Sequence, residues 1–161
     1  MKKQQRTKKI SVQLAKPVIK EYTALLKSRR YDEAAHYLTV LSEGLASFVF
    51  GTILIKLSKP LMNRHLLSSG AVDPERWAWL CNSLGRIYSR LGKHDEAKKK
   101  FREMQATGRK INNKEILSTA FQNLGIGADM QGNPKKAIEL FRQALVLKKA
   151  VGDRHGLSQV L

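Results

Sequence analysis

Arg86 and Arg90 stand four residues apart, so a helix sets both guanidinium groups on one face, where their planar N–H forks can hold a carboxylate. A denser run, Lys98, Lys99, Lys100 and Arg102, offers contacts to phosphates but no means of reading bases. Other chemistry is poorly supplied. The histidines at 36, 65, 94 and 155 form no HExxH motif and no i,i+4 pair, so metal-ligand geometry is missing. No GxxxxGK[ST] phosphate loop occurs, and the glycines at 125, 127 and 132 do not make a dinucleotide fingerprint. Asp32-Glu33 and Asp95-Glu96 open helical patterns, where carboxylates satisfy free amides and favour the helix dipole; that is capping, not acid–base catalysis. Cys81 has no second cysteine to pair with, and its place in an apolar helical stripe marks it as a buried packing residue rather than a nucleophile. No catalytic residue, metal or cofactor is expected.

The elements that carry these residues are helical. In the chain of 161 residues, 42% are apolar, enough for a core, and 30 Lys and Arg against 13 Asp and Glu leave a formal charge of +17. That excess favours acidic partners, whether acidic peptide, nucleic acid or anionic lipid. The longest uncharged apolar stretch, Gly44 to Ile55, is a dozen residues, short of the roughly 20 a membrane span needs, and reads as a buried helix. The first ten residues are strongly basic without the apolar run of a signal peptide, so 1–10 is expected to be a solvated tail and the protein cytoplasmic. Tyr31 to Leu41, whose Asp32-Glu33-Ala34 matches Asp95-Glu96-Ala97 further on, reads as the second helix of a pair whose first is Lys16 to Ser28, and Ala46 to Leu67 reads as a helix, a break at Lys59-Pro60 and another short helix before a loop at Ser68-Ser69-Gly70.

Downstream the chain repeats itself at an offset of 40 residues without gaps: Leu84/Leu124, Gly85/Gly125, Gly92/Gly132, Ala97/Ala137 and Phe101/Phe141 coincide. Cys81, Leu84, Ile87, Tyr88 and Leu91 form an apolar stripe for a helix from about Pro74 to Leu91, Gly92 suits a left-handed stop, and Asp95 can cap the next helix. Gly85 and Ala97 are the expected close-crossing points. The second copy uses Phe121, Leu124 and Met130, then Gly132, then Asn133-Pro134 as a helix start. Of Trp77 and Trp79, two apart and so on different helix faces, one is expected in the core and the other at a groove.

This run of a large residue, Leu-Gly, an aromatic, a turn Gly, Ala and Phe resembles the tetratricopeptide repeat, in a 40-residue variant, over about Ala78 to Leu161. Two positions depart from its pattern: Cys81 replaces a Trp, and Ala128 a Tyr. The resemblance implies an all-α fold of antiparallel helix pairs stacked as a right-handed superhelix, an α-solenoid. It divides the chain into a degenerate repeat-like region at 11–73, repeats at 74–113 and 114–153, and the start of a further repeat helix at 154–161. That last, uncapped start points to a fragment of a longer regulatory or scaffold protein, whose apolar end could self-associate. The order of elements also resembles the sensor regions of signal-transduction ATPases and some transcription activators.

By position in the family pattern, the groove of first helices holds Asn82, Arg86, Ser89 and Arg90 from one repeat and Gln122, Asn123 and Ile126 from the next. The function implied is non-catalytic binding of a protein or peptide, acidic if the charge is used, in that groove. The alternative is a nucleic-acid module contacting phosphates through Lys98, Lys99, Lys100 and Arg102, although at 7% aromatic the chain has few rings for base stacking. By this register Lys98, Lys99 and Arg102 lie on second helices, away from the groove, which favours the protein partner.

Overall fold

Four hairpin turns share one device, a residue in the left-handed region that stops a helix and reverses the chain. Arg29, Gly92, Asn112 and Gly132 have φ values of 56°, 72°, 53° and 73°. In each the following N–H reaches back five residues: Arg30 to the Leu25 carbonyl, Lys93 to Tyr88, Asn113 to Gly108 and Asn133 to Ala128, all at 2.9 Å. The turns at 92, 112 and 132 are twenty residues apart, so each half of the 40-residue repeat is one helix and one turn.

A computed structural model describes residues 16–44 and 48–152. Among them there is no strand. Residues 16–27 form α1, followed by α2 (Tyr31–Gly44), α3 (Phe48–Ser58), α4 (Arg64–Ser68), α5 (Pro74–Arg90), α6 (His94–Lys110), α7 (Lys114–Met130) and α8 (Pro134–Val151). The expected tail at 1–10 and helix start at 154–161 lie outside the described residues. The helix expected from Ala46 is described from Phe48 on, and its break falls at Lys59-Pro60 as the proline requires.

The chain divides into two compact units, one up to Arg76 and one from Trp77. In the first, Tyr22, Ala34, Ala35, Leu38, Leu54 and Leu61 are buried. The Tyr22 hydroxyl donates to the Leu57 carbonyl, fastening α1 to the end of α3, and burial raises its pKa. Asp32 accepts the Asp73 N–H at 3.1 Å and pairs with Arg76 at 2.8 Å, while Asp73 caps α5 by accepting from the amides of Glu75 and Arg76.

In the second unit the glycines of the repeat sit under phenyl rings. A Cβ built on Gly85 would lie 2.7 Å from Phe101 Cδ1, and one on Gly125 would lie 2.6 Å from Phe141 Cε1. Only a residue without a side chain lets α5 meet α6, and α7 meet α8, this closely. The residue that Gly85 meets is thus Phe101, one helical turn beyond the expected Ala97, because the ring fills the space the missing Cβ leaves. Ala97 is itself buried. The core continues through Trp77, Leu80, Cys81, Leu84, Met104, Ile116 and Ala120 to a cluster of Phe121, Leu140 and Ala144. Trp77 is buried and Trp79 half-buried, dividing the pair as their spacing requires.

One capping expectation is overturned. Asp95 does not cap α6: the helix begins at His94 after an N-cap at Lys93 that has no side-chain bond, and Asp95 and Glu96 lie inside the first turn. The bond from Lys93 N–H to Tyr88 closes a turn of only three residues, Leu91, Gly92 and Lys93, between the two helices, so α6 starts before Asp95 can occupy the cap. There its charge acts on the helix dipole. Asn133 and Pro134 do open α8, with the Asn133 side chain accepting the Lys136 N–H at 3.1 Å.

Candidate functional site

Cys81 and its neighbours are closed to chemistry. The residue is fully buried; its thiol faces Glu103 Oε2 at 3.7 Å, and Lys100 Nζ donates to the same oxygen at 2.8 Å. Burial, then the Glu103 charge, pushes the thiol well above its ordinary pKa, so thiolate is scarce at neutral pH. Iodoacetamide is therefore expected to leave Cys81 unmodified in the native protein and to alkylate it fully in denaturant, read by intact mass; rapid native alkylation would show an open site. Among the described residues no three His, Cys, Asp or Glu side chains converge.

The concave feature of the second unit is a cleft of about 610 Å³ to which all four helices α5 to α8 contribute. Its floor is apolar: Ala97, Phe101, Phe121, Leu124, Ala128 and Leu140. Ile126 and Met130, one turn apart on α7, form a lip and are 44% and 63% exposed. Around this floor stand the cations Arg86 and Arg90 from α5, Lys98, Arg102 and Arg109 from α6, and Lys136 from α8. The one carboxylate on the lining, Glu139, is held by Lys136 at 2.8 Å. Arg86, Arg90, Lys98, Arg102 and Arg109 make no ion pair among the described residues. A volume of this size, apolar within and polar at its edge, suits a few inserted side chains rather than a flat contact.

The site residues expected from sequence divide. Arg86, Ser89, Arg90, Asn123 and Ile126 all line the cleft. Asn82 and Gln122 do not. Asn82 is 8% exposed, and its Oδ1 accepts the Asn123 Nδ2 at 2.8 Å, so this pair fastens α5 to α7. An unpaired buried amide costs about 1–3 kcal/mol, so Asn82 is a packing residue whose loss would disturb Asn123 as well.

The phosphate candidates also divide, against the register argument. Lys98 and Arg102 were expected away from the groove, yet they line the same cleft as Arg86 and Arg90. Helical periodicity places them on one face of α6, and the packing of α6 turns that face to the cleft. Lys99 is exposed off the cleft, and Lys100 is half-buried against Glu103. Gln105, Arg109, Met130 and Gly127 were not anticipated. For Gly127 a signal was present: at the 40-residue offset Gly127 and Ala128 stand where the first repeat has Ile87 and Tyr88.

Residues 76–150 match the family model of the tetratricopeptide repeat. No curated protein matches the chain. Among the described residues no helix is long and apolar enough to cross a membrane.

Proposed function

The chain is a tetratricopeptide-repeat protein over residues 76–150, and from that premise we propose that it is a non-catalytic interaction module that binds a segment of a partner protein in the cleft between α5–α6 and α7–α8. The repeats are read as 74–113 and 114–153, within a cytoplasmic regulatory or scaffold protein. The observation that carries the reading is the coincidence on one cleft of an apolar floor, an exposed lip of Ile126 and Met130, a polar edge at Ser89, and Arg86 and Arg90, which make no ion pair among the described residues. An inserted side chain gains from the half-buried Leu124 and Ala128 of the floor and from the exposed lip, while the edges fix its orientation.

Nucleic acid is the second reading, and the placement of Lys98 and Arg102 on the cleft supports it. The rings available there do not. Phe101 and Phe121 are 4% and 7% exposed, so neither offers a face on which a base can stack. Phosphate contact alone supplies affinity that decays steeply with salt.

The test is selection from a random peptide library, followed by calorimetry with the wild type and an Arg86→Ala, Arg90→Ala variant of unchanged helical circular dichroism. Selected peptides should compete for one site and weaken about tenfold or more in the variant, as for central contacts of an interface. A library without binders, beside tight oligonucleotide binding that persists near physiological salt, would move the assignment to nucleic acid.

A further inference from the structure

The two repeats differ at two positions of the cleft. Ile87, in the first, is buried at 6% exposure, and Tyr88 beside it is half-buried. Their counterparts forty residues on, Gly127 and Ala128, both line the cleft. A Cβ added to Gly127 meets nothing within 4 Å, so this glycine is not required by any close neighbour. In a helix interior glycine costs roughly 1 kcal/mol relative to alanine, and at Gly85 and Gly125 a phenyl ring explains it. At Gly127 only the open space remains. Ala128 packs on Phe121, Leu140 and Ala144, so the void left by the absent large side chains has an apolar wall.

We propose that Gly127 and Ala128 form an anchor pocket for one large apolar or aromatic side chain of the partner, and that this anchor is flanked by carboxylates. The proposal rests on the interaction-module reading and specifies the partner's chemistry. The pocket asks for an apolar group because its wall is apolar. The flanks must be acidic because Arg86 and Arg90 on one wall and Lys98, Arg102 and Arg109 on another have no anion among the described residues to neutralise them. Arg109 and Arg102 extend the cationic edge along α6, so carboxylates on both sides of the anchor find partners. An acidic peptide inserting an aromatic residue thus completes the second repeat much as Tyr88 completes the first.

The probes are three synthetic peptides: one with a central tyrosine between runs of Asp and Glu, the same with alanine for tyrosine, and the same with Lys for each acid. Binding is read by calorimetry at near-physiological ionic strength. The tyrosine peptide should bind about tenfold or more tightly than the alanine peptide, and the lysine peptide should not bind. Ala128→Tyr should bring the tyrosine peptide down to the affinity of the alanine peptide while the helical circular dichroism is kept. Gly127→Leu, built into open space, should remove the preference for tyrosine in the same way and serves if Ala128→Tyr does not fold.

Equal affinity of the tyrosine and alanine peptides, or indifference of the tyrosine peptide to a folded pocket-filling variant, would overturn the anchor. Equal displacement by a single-stranded oligonucleotide of matched charge would overturn the choice of a peptide. If library-selected peptides bind through Arg86 and Arg90 but carry neither anchor nor acids, the interaction module stands and this inference falls. If no peptide binds at all, both fall.

Discussion

Gly85→Leu is expected to destabilise the second unit by on the order of 2 kcal/mol and to lower its thermal midpoint by roughly 10 °C, with circular dichroism at the helical bands as the measurement. Two effects oppose each other at this position. Leucine is the better helix former, by roughly 0.8–1 kcal/mol relative to glycine. Against that, a single Cβ already stands 2.7 Å from Phe101 Cδ1 and 2.8 Å from Cζ, and Phe101 is 4% exposed, so the ring cannot swing into solvent. Overpacking a dense core costs roughly 1–3 kcal/mol, occasionally more, and three further carbons put this case at the upper end. Packing wins. Two controls sharpen the result. Gly127→Ala meets no atom within 4 Å and should stabilise by about 0.5–1 kcal/mol. Gly85→Ala combined with Phe101→Leu should cost less than the sum of the single changes, because each relieves the other. A midpoint unmoved by Gly85→Leu would show that α5 and α6 do not cross at this residue.

Charge reversal on two walls of the cleft is the second large effect. Arg86→Glu with Arg102→Glu is expected to weaken the acidic tyrosine peptide on the order of 10²-fold, since each change both removes an attraction and sets like charges against each other. Stability should stay within about 0.5 kcal/mol, because both side chains are exposed and neither makes an ion pair among the described residues. The difference from wild type should shrink as salt rises and screens exposed charges. Lys99→Glu with Lys110→Glu changes the +17 total by the same amount, but both positions are exposed and off the cleft. If that control pair weakens binding as much, net charge governs the interaction and the cleft does not.

Much of the architecture is written locally. Asp73-Pro74 opens α5 and Gly92 follows its end; Asn133-Pro134 opens α8, and each signal acts on amides and carbonyls within a few residues of itself. The 40-residue offset exposed the repeat, and the stripe through Cys81 and Leu84 identified a buried face. Asp95 shows where local reading stops: an acidic residue near a helix start satisfies the capping pattern equally at the cap or within the first turn, and the turn bond from Lys93 settles which.

Relations between helices lay beyond the pattern. Periodicity says which residues of α6 share a face, but the crossing of α6 over α7 turns Lys98 and Arg102 toward the same cleft as Arg86 and Arg90. Asn82 and Asn123 look alike as polar residues on successive first helices; only their 2.8 Å bond, made across 41 positions, makes one of them core. Ala128 was legible as a departure from the repeat pattern, and a small residue in sequence signals either looser packing or a space kept open. Its neighbours distinguish the two, because a void is a property of the atoms that surround it, and those come from helices far apart along the chain.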